Sequence, residues 1–538
     1  MMGFRDTEER NIVLLSVVLL FPALLIHLGY LPLNFPTDEP RRALVALEMI
    51  LSGDYLTPTL NGELYFNKPP LYNWIIAASF LLHGDFSMWA LRLPVVISLI
   101  LFGFTTFWFV RRYINATVAF LSAAATVTCA RFLFYDSFLG LIDTTFAWLV
   151  YVNFMLVYHF RQKNQWYALF VVTYLITAVT YLMKGLPSLV FQGTTLLAYL
   201  SYRREFKRLF SLPHIVGGLL FLAIVGTYYV AYFTRNAIPL EEVFSTIWTE
   251  SSKRTGLKFG VWPVILHLFT FPFEVFYHFA PWLLLLLPLF RRDFWRQLKA
   301  HPFVFYNALV FAANIIVYWT SPQVYMRYLF MFMPPLFTVT AYFYYEHTPL
   351  TNWRRKTVEW VLLAAGVLLC LGCAALPFLE VTRHVPYPFL KAGACFVAMC
   401  VLMYLYYTRT THRLAWFVPF LLVVRIAFNW FVLPPRQYGV QEYVRHDLAL
   451  AEMTQGRRVW LYGVPDMSDP DSFYMASRRG EVLSYAQEVK PGELYLVPRT
   501  RLDEHPYREL YRMPIYSRDT LVLVTLDPPL YEDSASAR

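Results

Sequence analysis

Long apolar runs recur along most of the chain, among them Asn11–Tyr30, Leu186–Leu200 and Trp360–Leu376, and short polar breaks separate them. A helix needs about 20 apolar residues to cross the hydrocarbon core of a bilayer. By that rule the runs predict about thirteen helical spans, starting near residues 12, 92, 115, 144, 166, 186, 213, 263, 303, 328, 357, 389 and 413. Pro263, Pro272 and Pro281 interrupt one stretch, so the boundaries there are the least regular. The first run has no A-x-A cleavage signal and is followed by many more spans, so it is expected to be a membrane helix, not a removed leader.

The breaks carry a second pattern. Basic clusters fall on alternate ones: Arg111-Arg112, Arg161 with Lys163, Arg203-Arg204 with Lys207-Arg208, Arg291-Arg292 with Arg296, Arg354-Arg355-Lys356, and Arg409 with Arg413. Lys and Arg accumulate on the cytoplasmic side of membrane proteins. That places these breaks inside. An odd number of spans then places the tail outside, together with loops 34–90 and 234–262.

Composition agrees with this reading: 57% of the residues are hydrophobic and only 15% charged, against about 25% charged in soluble domains. The net charge of +10 is uneven. From Pro434 onward there are 13 basic and 16 acidic residues, leaving 33 basic and 20 acidic in residues 1–433. The positive charge thus belongs to the membrane part, and the soluble tail lacks the basic face that nucleic-acid binding requires. All five Cys lie in apolar runs. Cys370 and Cys373 form a C-x-x-C inside VLLCLGCAAL, where helix packing is the expected role.

The expected organisation is a membrane domain of residues 1–433 and a small soluble α/β domain of residues 434–538. In the tail a helical stretch, Tyr443–Met453, alternates with strand-like runs at Arg458–Tyr462, Glu493–Val497 and Thr520–Thr525, and Asp527–Arg538 reads as frayed. The first outer loop is longer than most other breaks. Asp38 and Glu39 precede Pro40, a helix-starting pattern. Ala43, Leu44, Leu47, Ile50 and Leu51 share one face and Gly53 ends the run, which predicts a helix lying along the membrane interface. A Pro/Asn/Gly turn region follows, then Tyr65-Phe66-Asn67-Lys68-Pro69-Pro70.

Candidate chemistry collects on the outer side. Asp38 and Glu39 fit a helix N-cap and a first-turn acid, and equally a carboxylate base at the water–lipid boundary. Lys68, in its stiff aromatic setting beside Tyr65, suits either an interfacial anchor or a phosphate contact. Asp143 opens the fourth span at its outer end, where an acid at membrane depth marks function; Asp136 competes for the same role. Lys184, Arg254 with Lys253 and Lys258, and Arg327 with Tyr328 all lie at outer positions. Cations there would stabilise a phosphate leaving group while a carboxylate took the proton of an attacking hydroxyl. His267, His278 and His384 lack metal-ligand spacing, and no phosphate-binding glycine loop is present.

TDEPRRALVALEMILSGDY…NGELYFNKPPLYNW resembles the first-loop signature of the protein O-mannosyltransferase superfamily, above all its bacterial lipid A aminoarabinose transferase-like branch. LIDTTFAWL, MKGLPSLV and MRYLFMFMPPL resemble later segments of that family, in its order. The resemblance implies a mainly α GT-C fold in the bacterial inner membrane, with its active site facing the periplasm. It implies an inverting, in-line transfer of sugar from a polyprenyl-monophosphate donor to lipid A, another glycolipid, or a protein or glycan hydroxyl. Asp38 then matches the catalytic aspartate, with Glu39 beside it, and Asp143 the second acid. Lys68, Tyr65, Lys184, Arg254, Arg327 and Tyr328 become the donor-phosphate set. Two positions depart from the pattern. Asn67 stands where a Glu is usual, one that in some relatives could ligate a metal, so the resemblance leaves a divalent metal open without calling for one, and Arg42 replaces a Tyr. The partners expected are the lipid-linked donor, the envelope acceptor and membrane lipids, with the chain a monomer. A transporter or lipid-linked sugar flippase and an O-antigen ligase-like enzyme are the rival classes. The first would show paired inverted repeats, and the second a large outer loop late in the chain.

Overall fold

The computed structural model describes residues 6–33, 37–236, 260–516 and 520–526, together with 238, 241, 245 and 249. Helices begin at or within a few residues of the expected starts: Thr7–Leu25, Met88–Tyr113, Ala116–Thr128, Ile142–Gln162, Trp166–Lys184, Pro187–Tyr202, Leu212–Arg235, Val261–His278, Pro302–Trp319, Met333–Glu346, Trp353–Ala375, Pro388–Thr408 and Arg413–Phe431. Among the described residues, eight helical segments are long and apolar enough to cross a membrane. Others fall short for visible reasons. Pro187–Tyr202 has 16 residues, and the run near 328 divides into a 3-10 turn, Met326–Phe332, and a 14-residue helix.

The helices start where local chemistry favours it. Asp6 accepts from Glu9 N at 2.8 Å and Asn115 from Val118 N at 2.9 Å, satisfying amides that no helical carbonyl can reach. Pro187, Pro302 and Pro388 open their helices, where a missing N–H costs nothing. Polar side chains on apolar helices bond inward. Ser122, Thr126 and Thr173 donate to carbonyls one turn back, while Asn153 Nδ2 reaches Thr177 Oγ1 and Asn314 Nδ2 reaches Thr195 Oγ1, both at 2.9 Å. Such bonds join helices in a medium that offers no hydrophobic drive between them.

The compact units are two. One comprises Met1–Leu28, Asn67–Leu71 and Arg92–Pro435; the other Gly29–Phe66, Tyr72–Leu91 and Arg436–Arg538. By packing, therefore, most of the first loop groups with the tail. In the membrane unit the buried Glu359 ties four helices together through its carboxylate and its backbone carbonyl. It accepts from Arg355 Nε at 2.9 Å, Arg413 Nη1 at 2.5 Å and Tyr344 Oη at 2.6 Å, and its backbone carbonyl accepts from Tyr406 Oη at 2.7 Å. Glu359→Ala would leave two guanidiniums without that carboxylate. A loss of about 3–5 kcal/mol is expected, read as a lowered melting temperature in detergent; an unchanged melt would mean the network is not structural.

The second unit holds two sheets. β1 (Thr59–Leu60) and β2 (Glu63–Leu64) form a hairpin. The larger sheet runs β4-β3-β5-β7-β6, from β3 (Val459–Leu461), β4 (Ser484–Tyr485), β5 (Leu494–Pro498), β6 (Tyr507–Pro514) and β7 (Thr520–Leu526). β3 pairs in parallel with β4 and β5, and β7 pairs antiparallel with β5 and β6. Both faces of the central strands are covered. Leu494, Leu496, Leu521 and Leu523 enter one core, and Tyr495, Val497, Val522 and Val524 another, the period-two alternation of a strand buried on both sides. Helices Gln441–Met453 and Asp469–Arg479 pack on each other.

The first-loop helix, Glu39–Ser52, ends at Gly53 with φ +70°, as its sequence predicts. Its surroundings differ from the expected interfacial position. Ala43, Leu44, Val45, Ala46, Leu47 and Met49 are all buried, because the Asp469–Arg479 helix packs on it and the β1–β2 hairpin covers Val45 and Met49. It is enclosed by protein on more than the one apolar stripe its sequence displays.

Candidate active site

In the membrane unit three separate elements deliver charges to one carboxylate. Asp143 sits in the first turn of the Ile142–Gln162 helix, where the dipole favours an acid. Lys184 is the last residue of Trp166–Lys184, where the dipole favours a cation, and Gly185 at φ +80° turns the chain away. The 3-10 turn Met326–Phe332 supplies Arg327 and Tyr328. Lys184 Nζ lies 2.5 Å from Asp143 Oδ1, and Arg327 Nε 3.2 Å from Asp143 Oδ2. Lys68 stands close enough for its charge to act on the same carboxylate.

Aromatic rings complete the cluster. Lys184 Nζ is 4.1 Å from the Tyr328 ring centroid and 5.0 Å from that of Phe146, and Arg327 Cζ is 4.3 Å from that of Tyr325. Cations over ring faces are held there electrostatically. The side chains of Asp143, Lys184 and Arg327 are only 4%, 9% and 13% exposed, so their charges act with little screening. An ammonium has three N–H donors and a guanidinium five. Fixed by one shared carboxylate, such cations are built to meet an anion. Asp136, the competing acid, is taken up by Arg131, whose Nε lies 2.6 Å from its Oδ2. Arg131 is a partner that the sequence pattern did not single out.

The first-loop acids lie in the other unit. Asp38 occupies the N-cap position of its helix, yet its side chain makes no capping hydrogen bond and it is exposed, whereas Glu39 is fully buried. The cap role and the chemical role thus separate: the backbone carbonyl of Asp38 accepts from Arg42 N at 3.2 Å. Tyr65 is buried with Val45 and Met49, and its hydroxyl accepts from Arg42 Nη2 at 3.0 Å. That contact gives Arg42, the departure from the family pattern, a structural task.

Glu48 holds the loop that leads to Tyr65. Fully buried, it accepts from Thr59 Oγ1 and Asn61 N, both at 2.6 Å, and from Gly62 N at 3.3 Å. Burial pushes its carboxyl above the ordinary range, and these hydrogen bonds pull it back. Asn61 and Gly62 both have positive φ, the two-residue hairpin turn that an Asn-Gly pair favours. Nothing in the sequence reading marked Glu48; an acid on the apolar side of an otherwise amphipathic helix was the available signal. Arg254, with Lys253 and Lys258, lies outside the described residues, as does Asp527–Arg538. Among the described residues no group of three or more His, Cys, Asp or Glu is arranged to hold a metal ion.

The fold and this charge cluster define a polytopic membrane protein with a buried cluster of cations gathered on one carboxylate. Residues 67–232 match the family described as dolichyl-phosphate-mannose-protein mannosyltransferase. The fold is similar to that of ArnT from Cupriavidus metallidurans bound to undecaprenyl phosphate, with TM-score 0.71 and 18% identity over 96% of this chain and 99% of that one. The apo form of the same protein gives TM-score 0.70 and 17% identity over 97% of this chain and 100% of that one. In sequence the chain is 31% identical over 114 residues, 20% of its length, to the undecaprenyl phosphate-alpha-4-amino-4-deoxy-L-arabinose arabinosyl transferase of Shewanella sediminis. It is 24% identical over 232 residues, 42% of its length, to an uncharacterized protein of Aquifex aeolicus. These alignments span 21% and 46% of the relatives' own lengths. The resemblance to the aminoarabinose transferase-like branch, read from the first-loop motif, agrees with the family match, the two ArnT structures and the Shewanella relative.

Proposed function

We propose that the chain is a membrane glycosyltransferase that moves a sugar from a polyprenyl-monophosphate donor to lipid A or another envelope acceptor. The observation that carries this reading is the gathering of Lys184, Arg327 and Lys68 around Asp143. An anionic phosphate is the ligand such a set suits. In the reaction the bond between the anomeric carbon and the donor phosphate oxygen breaks, the acceptor oxygen bonds to that carbon from the opposite face, and the polyprenyl phosphate leaves. Charge growing on the leaving phosphate is stabilised by cations already in place. Asp38 enters the reading through the first-loop motif and takes the proton of a hydroxyl acceptor, while a phosphate acceptor, already ionised, needs it only for orientation.

In this reading the chain spans the bacterial inner membrane about thirteen times, and its sugar-transfer chemistry and residues 434–538 face the periplasm. It works as a monomer without a metal, Asn67 being unable to supply the anionic ligand that a Glu would. Tyr65 acts by holding Arg42 and so shapes the first loop, and Tyr328 acts by holding Lys184.

The test is transfer by the purified protein in lipid nanodiscs, with undecaprenyl-phosphate-linked aminoarabinose as donor and lipid A as acceptor. Lys68→Ala is expected to lower turnover about 10²–10³-fold with the melting temperature unchanged. Full activity in that variant would remove Lys68 from the phosphate set.

A further inference from the structure

Arg131 lies on the short helix Ala130–Phe134, and Asp136 opens the 3-10 turn Asp136–Phe138, shortly before the helix that carries Asp143. In the topology set by the basic clusters, the Ala116–Phe134 span starts beside Arg111-Arg112 inside, so Arg131 falls on the outer side with Asp143. Arg131 Nε lies 2.6 Å from Asp136 Oδ2, and its Cζ lies 5.1 Å from the Tyr135 ring centroid. Among the described residues neither Nη group has a hydrogen-bond acceptor, and neither is sealed off within the protein. Asp136 is 1% exposed, and its other oxygen, Oδ1, is buried with no hydrogen-bond partner among the described residues. A buried ion pair offsets its desolvation only when the remaining lone pairs and protons are satisfied too. This one engages a single N–H of the guanidinium's five.

The neighbours of the pair indicate what the unused donors meet. Asp136 is within electrostatic reach of Arg327 and Asp143, so the pair adjoins the cluster in which Lys184 and Arg327 each pair with Asp143. Transfer also changes the charge at that place. A donor phosphodiester carries one negative charge, whereas a released phosphate monoester carries about −1.5 to −2 at pH 7. A guanidinium presents paired N–H groups along one edge, the geometry that two phosphate oxygens accept.

We propose that Arg131 is a further phosphate-contacting residue: Asp136 and Tyr135 fix its guanidinium, and its Nη edge takes two oxygens of the polyprenyl phosphate as that group leaves. Asp136 is then a positioning residue, acting through Arg131. The inference rests on the glycosyl-transfer reading above and adds to it a cation that lies in none of the motifs behind that reading.

The purified protein in detergent is titrated with undecaprenyl phosphate and, as the same chain without the phosphate, undecaprenol, and binding is read by native mass spectrometry. Arg131→Met is expected to weaken undecaprenyl phosphate binding about 10–100-fold and to leave undecaprenol binding unchanged. Arg131→Lys keeps the charge without the paired N–H edge, and its affinity should fall between the two. In the nanodisc transfer assay its kcat should drop with the KM for lipid A unchanged. Should Arg131→Met not fold, Arg131→Met/Asp136→Asn removes the stranded acid as well. That double variant is expected to fold and still bind the phosphate weakly, whereas a purely structural pair predicts wild-type binding. Wild-type affinity for undecaprenyl phosphate in Arg131→Met or in the double variant, or a change in the KM for lipid A alone, would overturn the inference and leave glycosyl transfer standing. Wild type that binds undecaprenyl phosphate through Arg131 yet transfers no sugar would overturn the glycosyl-transfer reading and leave the phosphate contact standing.

Discussion

Asp143→Ala is expected to abolish transfer and to destabilise the membrane unit by about 3–5 kcal/mol, the cost of leaving buried charges without their partner. Lys184 Nζ and Arg327 Nε both lie within ion-pair distance of its carboxylate, and none of the three side chains is more than 13% exposed. Removing the acid strands both cations in a poorly solvated place. Removing Lys184 and Asp143 together should therefore cost less stability than the sum of the single changes. Transfer would still be lost, since the phosphate set is gone. Melting curves in detergent, beside turnover, separate the effects: a stable but inactive Asp143→Ala protein would mean that the acid acts in chemistry and not in holding the cations.

Asp38→Asn is expected to behave in the opposite way. Asp38 is exposed and makes no capping hydrogen bond through its side chain, so stability should hardly change. Turnover with a hydroxyl acceptor should fall about 10²–10⁴-fold, the usual contribution of a placed base. With a phosphate acceptor the loss should be smaller, because no proton has to leave. Equal losses with both acceptors would give Asp38 an orienting role only.

Much of this was legible in the sequence because membrane helices write themselves in long apolar runs, and helix starts and stops in single residues. Asp38-Glu39-Pro40 and Gly53 bracket the first-loop helix as predicted, and the strand-like runs at Arg458, Glu493 and Thr520 became β3, β5 and β7. β6 stayed hidden because Arg508, Glu509 and Arg512 make it charged, as suits an edge strand. The helix Asp469–Arg479 was missed as well. Without it, the enclosure of the first-loop helix could not be anticipated. Asp143, Lys184 and Arg327 were each legible as outer charges, but their meeting on one carboxylate depends on contacts far apart in sequence, which no local pattern encodes. Asp136 pairs with Arg131, a nearby partner that the sequence reading did not single out.

The most direct test of the central claim is mass spectrometry of donor and acceptor after incubation with the protein in nanodiscs, using the polyprenyl-phosphate-linked sugar and lipid A. The account predicts that the sugar mass leaves the donor, appears on the acceptor and releases polyprenyl phosphate, that Lys68→Ala suppresses all three, and that Asp38→Asn lowers them more at a hydroxyl of the acceptor than at a phosphate. An intact donor beside unmodified acceptor, with the same protein moving the lipid-linked sugar across a sealed vesicle membrane, would contradict it and make the chain a transporter.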